Sequence, residues 1–218
     1  MPISNLHRLV AATVLRVAAS RGFALGGGNA LIAHGVVDRL TNDVDVFTDE
    51  EDGVEAAAGA VETALRATGF ETERKDKTDG LGDIFEGMGA GLAEWVVQAP
   101  DGGQTVLQLA YFDRARASVT MEVGPVLDLE DVVGGKVCAL ASRAEPRDYV
   151  DTAAALERYS IDQVIDFARR LDSGLDDRDF AEAGGRLDQW DDAAFASFEL
   201  GPAGLAELRR RFAEWPRS

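Results

Sequence analysis

The sequence contains one cysteine and far fewer basic than acidic residues. Because Cys138 is the one cysteine in 218 residues, the chain has no internal disulfide, which suits a reducing compartment such as the cytoplasm. We expect its thiol to be a small buried group. Lysine and arginine number 22 against 39 acidic residues, a formal net charge of −17. Broad, nonspecific binding to nucleic acid requires cationic neutralisation of phosphates, and this charge argues against it.

Long apolar runs are also missing. No stretch approaches the roughly 20 apolar residues of a membrane-spanning helix, and the N-terminus lacks the basic, apolar and small-residue regions of a signal peptide. We therefore expect a cytoplasmic protein with no membrane association. With 46% hydrophobic and 28% charged residues, the chain is long enough for one sizeable core or for a core with a helical appendage.

The order of sequence patterns predicts an α/β (α+β) chain that ends in helices. Helices are expected at 4–20, 29–35 and 50–68, and strands at 22–26, from Asp43 to Thr48, and at 70–74, 93–98, 104–111 and 119–123. A loop with a short strand at 83–86 is expected over 76–91. Beyond Leu129 the pattern is helical, at about 130–142, 147–158, 161–170, 178–187, 191–198 and 202–214. We therefore divide the chain into a core of residues 1–125 and a helical region of residues 126–218.

The most informative stretch is a pair of aspartates that open a predicted strand. Asp43 and Asp45 alternate with Val44 and Val46, so on a strand the two carboxylates share one face about 7 Å apart. Neighbouring carboxylates repel each other unless a cation neutralises them. Oxygen ligands of this kind suit Mg²⁺ or Mn²⁺, and Mg²⁺ usually binds through one or two carboxylates together with the phosphates of a substrate.

A glycine pair lies between the preceding strand and its helix. Gly27 and Gly28 allow backbone N–H groups to approach an anion at a helix start, and Asn29 adds a side-chain donor or cap. A phosphate on this turn would lie beside a cation held by Asp43 and Asp45. That combination is typical of phosphoryl or nucleotidyl transfer.

A second group of residues follows at the start of the helical region. Lys136 borders the apolar stripe of its predicted helix, where it either shields the charge of a triphosphate or lies along the surface as an ordinary lysine. Asp148 and Asp151 are one turn apart on the next helix, just after Pro146. They are either a capped helix start or part of the site.

Together these residues resemble the AbiEii/MenT toxin branch of the nucleotidyltransferase superfamily. The superfamily's first motif is a glycine turn followed by Asp-x-Asp, matched here by residues 27–28 and 43–45. The branch adds a downstream lysine, an arginine and an Arg-Asp-x-x-Asp element, matched by Lys136, Arg143 and residues 147–151. The resemblance implies a nucleotidyltransferase-like core with a small mixed β-sheet, and a helical C-terminal region that completes the active site.

The resemblance also implies the roles of individual residues. Asp43 and Asp45 would hold the metal ion, and Lys136 would contact phosphate or act in catalysis. One downstream aspartate would complete the site. The motif spacing does not decide between Asp148 and Asp151, although we favour Asp151.

Arg39 and Thr41 fit the pattern of the branch as well. Arg39 either meets a phosphate or pairs with a nearby acid, and Thr41 either orients the nucleotide or caps the turn before the aspartates. The predicted nucleotide-binding residues are therefore Gly27, Gly28, Asn29, Arg39 and Thr41.

The chain departs from the wider superfamily at one position. Many nucleotidyltransferases carry a third carboxylate on a later strand, where this chain has Gln108, which cannot act as a base. Asp113, just past that strand, is a weak substitute. Either Lys136 and a downstream aspartate suffice, or the enzyme is slow or inactive.

By resemblance, the chain transfers an NMP from an NTP to RNA, such as the 3′ end of tRNA, as the toxin of a toxin–antitoxin pair with a cognate antitoxin. Transfer to a small hydroxyl compound such as an aminoglycoside is an alternative, since the charge of −17 suits a cationic acceptor. A catalytically silent nucleotide-binding module is a further alternative, although a silent module has no need for costly paired carboxylates.

Overall fold

The computed structural model describes residues 3–75, 91–198 and 200–217. The chain divides into two compact units, Met1–Asp128 and Leu129–Ser218, and each unit is described by itself. The strand expected at 83–86 lies outside the described residues.

The first unit combines a mixed sheet with helices. Its helices are α1 (Asn5–Ala18), α2 (Gly27–Ala33) and α3 (Gly53–Ala67), and a short 3₁₀ turn covers Ala19–Arg21. Its strands are β1 (Ala24–Leu25), β2 (Asp43–Thr48), β3 (Glu71–Lys75), β4 (Leu92–Gln98), β5 (Gln104–Tyr111), β6 (Val119–Met121) and β7 (Gly124–Val126).

The strands form one sheet in the order β3-β4-β5-β2-β1-β7-β6. Strand β2 lies at its centre, parallel to β5 and antiparallel to β1. Strands β3, β4 and β5 pair antiparallel, β7 runs parallel to β1, and β6 pairs antiparallel with β7. The aspartate strand therefore has a hydrogen-bonded neighbour on both sides, which holds its side chains in a fixed register.

The two faces of the sheet differ in polarity because side chains alternate along each strand. On β2, Val44 and Val46 are buried while Asp43 and Asp45 are half-buried. Helices α1 and α3 pack against each other and against β5, while α1 also packs against β2 and α3 also packs against β4. These contacts cover the apolar face, so the two aspartates lie on the opposite face.

The second unit is helical in its described residues. It contains α4 (Leu129–Ser142), α5 (Pro146–Ala155), α6 (Ile161–Leu171), α7 (Asp177–Leu187), a 3₁₀ helix (Asp192–Phe198) and α8 (Gly201–Arg211). Helix α4 packs against α5, α6 and α7. Burial raises the pKa of Cys138 on α4 to about 12, so the thiol is protonated at neutral pH. None of the described helices is both long and apolar enough to span a bilayer.

The structure confirms the predicted α/β fold class and corrects local details. Helix α2 begins at Gly27 rather than at Asn29, because Gly26 is its N-cap and Gly27 enters the first turn at a positive φ of 57°. Strand β7 was not predicted, since Gly124-Pro125-Val126 has the composition of a turn. The helix expected at 191–198 is a 3₁₀ helix.

Candidate active site

The glycine turn packs directly on side chains of β2. A Cβ atom added to Gly27 would lie 1.8 Å from Oδ2 of Asp45, and the backbone N–H of Gly26 donates to the Asp45 carbonyl at 2.9 Å. The carboxylate of Asp45 therefore occupies the space that any other side chain at position 27 would need. Only glycine at this position brings the backbone of α2 into contact with that carboxylate.

Two further predicted residues lie against the next glycine. A Cβ on Gly28 would lie 2.5 Å from Cγ2 of Thr41 and 3.4 Å from Nη2 of Arg39. The guanidinium of Arg39 also donates to the Leu40 carbonyl at 2.9 Å. The segment before β2 thus folds back on the glycine turn. It places the positive charge of Arg39 beside that turn, an arrangement that suits a phosphate group.

Asn29 fastens α2 to the start of β2 through its side chain. The amide is 1% exposed, its Nδ2 donates to the Asp43 carbonyl at 2.7 Å, and its Oδ1 accepts from the Thr41 hydroxyl at 3.2 Å. Asn29 was predicted to donate to phosphate or to cap the helix. Its internal hydrogen bonds favour a positioning role for the side chain.

Sequence reasoning missed His7, which lies beneath the same residues. Its Nδ1 lies 3.0 Å from the Thr41 hydroxyl and its Nε2 lies 3.0 Å from the hydroxyl of Thr105 on β5. The side-chain nitrogen Nδ2 of Asn29 also lies 3.4 Å from Nδ1 of His7. Desolvation lowers the pKa of His7, and the contact with Asn29 and the charge of Asp43 oppose that shift in part. The available signal was helical spacing, because His7 lies three residues before Val10 and seven before Val14 on the buried face of α1.

The carboxylates of β2 offer a partial coordination shell for a cation. Within residues 3–75, 91–198 and 200–217, no three His, Cys, Asp or Glu side chains are arranged to hold a metal ion. Gln108 lies opposite Asp45 in the β2–β5 register, and Asp113 is exposed beyond β5. Two carboxylates beside a glycine turn fit Mg²⁺ or Mn²⁺ bound jointly by protein and triphosphate, since such ions use few protein ligands.

In the second unit, the predicted lysine pairs with a predicted aspartate. The Nζ of Lys136 on α4 lies 3.0 Å from Oδ2 of Asp151 on α5, and the two side chains are 16% and 0% exposed. A lysine at this depth is not the freely solvated lysine of the alternative interpretation.

The neighbouring pair has a different character. Nε and Nη2 of Arg143 donate to Oδ2 and Oδ1 of Asp148, each at 2.9 Å. Asp148 also accepts from the Glu145 N–H at 3.2 Å as part of a capping box. This bidentate contact raises the pKa of Arg143. Asp148 is fully buried and engaged in holding the start of α5, which favours Asp151 as the functional aspartate.

The structure therefore brings the predicted residues together in two clusters. The first unit holds Gly27, Gly28, Asn29, Arg39, Thr41, Asp43 and Asp45. The second unit holds Lys136, Asp148 and Asp151.

A sequence model described as the nucleotidyl transferase AbiEii toxin of type IV toxin–antitoxin systems matches residues 8–215. None of the curated proteins matches the chain in sequence.

Two solved structures share the fold. JHP933 from Helicobacter pylori is 16% identical, with a TM-score of 0.60 over 96% of this chain and 91% of that one. MenT4, a nucleotidyltransferase toxin from Mycobacterium tuberculosis, is 18% identical, with a TM-score of 0.58 over 95% of this chain and 82% of that one.

We expect Gly27→Ala to destabilise the protein and Gly59→Ala to stabilise it. Alanine at position 27 would overlap the Asp45 carboxylate at a φ of +57°, a backbone conformation that costs a non-glycine residue about 1–3 kcal/mol. Gly59 lies inside α3 with no described atom within 4 Å of an added Cβ, so alanine there contributes roughly 0.5–1 kcal/mol. Urea unfolding measures both changes. An unchanged midpoint for Gly27→Ala would contradict the observed packing.

We expect Asp148→Asn to lower the free energy of unfolding by about 3–5 kcal/mol, because it leaves the guanidinium of Arg143 without its buried carboxylate. Glu182→Gln is the matched control. It breaks the exposed pair with Arg178 on α7 and should cost at most about 1 kcal/mol. Equal losses in the two variants, measured by urea unfolding, would show that Asp148 is not a structural anchor.

The free energy of unfolding should decrease as the pH falls below 6.5, the ordinary pKa of a histidine side chain. Because the folded-state pKa of His7 is lowered, the unfolded chain binds the proton more tightly, and acid favours unfolding. The stabilisation from neutral His7 is present above pH 6.5 and is lost as the pH falls through the folded-state pKa. Urea unfolding between pH 7.5 and 5 should show a smaller pH dependence for His7→Gln than for wild type. Parallel curves would mean that His7 does not titrate in this way.

Proposed function

Because the chain belongs to the AbiEii family of nucleotidyl transferase toxins of type IV toxin–antitoxin systems, we propose that the cluster around Asp43, Asp45 and the glycine turn is its metal and nucleotide site. The protein is a nucleotidyltransferase, and its family implies an NTP substrate and a cognate antitoxin. We propose the identity of the site residues, of the cation and of the acceptor.

The contact between Asp45 and Gly27 carries the proposal. A carboxylate that occupies the place of a missing Cβ keeps any cation it holds beside backbone N–H groups of the first turn of α2. Phosphate oxygens can then contact the cation and the backbone at once, which is how a triphosphate is held for transfer.

Each residue of the first unit has a separate task in this proposal. Asp43 and Asp45 hold Mg²⁺ or Mn²⁺, which when bound neutralises charge on the triphosphate and on the leaving pyrophosphate. The backbone of Gly27 and Gly28 donates to phosphate oxygens, and Arg39 adds a fixed positive charge. Thr41 and Asn29 hold the strand start that carries the aspartates.

We propose that Lys136 serves the same reaction from the helical region of residues 126–218, as the family pattern suggests. Its ammonium group would stabilise negative charge on the phosphoryl group during transfer. Asp151 would hold that ammonium group in place, because its carboxylate is buried against Lys136. A carboxylate stabilised by a cation is a weak base, so this contact favours positioning over proton removal.

We propose RNA, and in particular the 3′ end of tRNA, as the acceptor, and the cytoplasm as the location. The acceptor hydroxyl would attack the α-phosphorus, the bond to pyrophosphate would break, and the hydroxyl proton would pass to solvent. The basic run Arg209-Arg210-Arg211 gives this acceptor little support, because these side chains pair with Asp192, Glu157 and Glu207. Together with the net charge of −17, that pairing keeps a small cationic acceptor such as an aminoglycoside as the second candidate.

The proposal is tested by incubating the protein with Mg²⁺, each α-labelled NTP in turn, and either total tRNA or aminoglycosides. We expect label on tRNA, and a loss of at least about 100-fold in Asp45→Asn and in Lys136→Met. Asp101→Asn, in the exposed turn between β4 and β5, is the matched control and should retain activity. Transfer to aminoglycosides alone would favour the second candidate. No transfer with NTP binding intact would favour the silent module and contradict the proposal for these acceptors.

The buried pair of the second unit requires its own control, because Lys136→Met also leaves Asp151 unpaired. The double variant Lys136→Met with Asp151→Asn removes both charges. If the pair only maintained the fold, the double variant would regain stability and activity together. We expect it to regain stability in urea and to remain inactive.

A further inference from the structure

A row of polar side chains crosses four adjacent strands on the aspartate face of the sheet. In the strand registers, Asp45 on β2 lies opposite Gln108 on β5, Gln108 lies opposite Glu94 on β4, and Glu94 lies opposite Lys75 on β3. The side-chain amide of Gln108 donates from Nε2 to Oε2 of Glu94 at 2.7 Å. The ammonium group of Lys75 lies 2.8 Å from Oε1 of the same carboxylate.

Burial shows that this row is an unusual arrangement. The side chain of Glu94 is 10% exposed, and a carboxylate at this depth is costly unless it is paired and hydrogen-bonded. The next row along the same face is apolar in the middle, because Asp43 lies opposite Val106 and Val106 lies opposite Val96. On the other side of the Asp45 row, Phe47 lies opposite Ala110 and Ala110 lies opposite Leu92. Among the described residues of β2, β5 and β4 on this face, the polar row is therefore the one that contains Asp45.

The hydrogen bond to Glu94 also sets which end of the Gln108 amide faces which neighbour. A carboxylate accepts hydrogen bonds and does not donate them, so the NH₂ group faces Glu94. The amide oxygen Oε1 is then the end that Glu94 does not engage, and the neighbour of Gln108 on the other side in the sheet is Asp45. An amide oxygen and a carboxylate cannot hydrogen-bond to each other, whereas both are good ligands for a hard cation.

We propose that Gln108, oriented by Glu94, supplies a neutral third oxygen ligand to the cation site of Asp43 and Asp45. This inference rests on the proposed function, because it requires a cation at the two aspartates. Gln108 stands where the wider superfamily has a third carboxylate. The site would thus have three oxygen ligands but one negative charge fewer than a site with three carboxylates.

Glu94 has a distinct part in this arrangement. It is a positioning residue that acts through Gln108, and Lys75 compensates its charge. Outer residues that orient a ligand typically change metal affinity about 10- to 100-fold when they are removed. A measurement of cation affinity, with no catalytic turnover, should therefore report the effect of the Gln108 amide orientation.

The test measures Mn²⁺ binding to the 218-residue protein in the absence of nucleotide. The electron paramagnetic resonance signal of free Mn²⁺ reports how much of the ion remains unbound. We expect Gln108→Leu to raise the Kd about tenfold or more. The double variant Gln108→Glu with Glu94→Gln exchanges the two side chains. It places a carboxylate beside Asp45 and keeps an amide–carboxylate hydrogen bond between β5 and β4, so its Kd for Mn²⁺ should be lower than that of the wild type. Glu73→Gln, an exposed carboxylate on the same face of β3, is the control and should leave the Kd unchanged.

The outcomes separate this inference from the proposed function. If the wild type binds no Mn²⁺, or if Asp45→Asn binds it unchanged, the proposed cation site fails. If Asp45→Asn loses binding while folded Gln108→Leu, checked by urea unfolding, binds as the wild type does, the role of Gln108 is overturned and the cation site stands. A raised Kd in the exchange variant, with its fold intact, would likewise overturn the inference.

Discussion

The first unit depends on one steric constraint, the absence of a side chain at position 27. Because Gly27 has no Cβ, the Asp45 carboxylate can lie against the backbone of α2, and Gly26 can continue the hydrogen bonding of β1 with β2. The side chain of Asn29 then reaches the Asp43 carbonyl. A bulkier residue would separate helix and strand, and the backbone of the glycine turn would move away from the carboxylates.

In the second unit, helix periodicity arranges the charges. Lys136 lies on α4 and Arg143 directly follows the last residue of that helix, seven positions or about two helical turns later, while Asp148 and Asp151 lie one turn apart on α5. Two ion pairs therefore connect α5 to α4 and to the residue that follows α4. Arg143 binds Asp148 through two hydrogen bonds, and Asp148 also caps α5. Lys136 contacts Asp151 through its ammonium group. The Arg-Asp-x-x-Asp pattern thus combines a structural aspartate with the one that we assign to function.

Much of this arrangement could be predicted from local sequence. Alternation of Asp43 and Asp45 with valines indicated a strand with one apolar and one polar face, and that strand is present. The nucleotidyltransferase fold class was also confirmed. Residues joined by distant strand pairing could not be predicted in the same way. Asp45 lies opposite Gln108 only because of the β2–β5 register, and His7 contacts Thr105 across a separation of 98 residues. Single-sequence periodicity carries no information on such pairs.

The buried polar row has a consequence for how the sheet folds. A shift of β5 by one residue against β2 would turn Gln108 toward the face packed on α1 and α3, and the same shift in β4 would place the charge of Glu94 there without Lys75. An unpaired carboxylate in that core costs several kcal/mol, so misregistered sheets are strongly disfavoured. The residues next to the candidate site thereby also specify the register in which the strands pair.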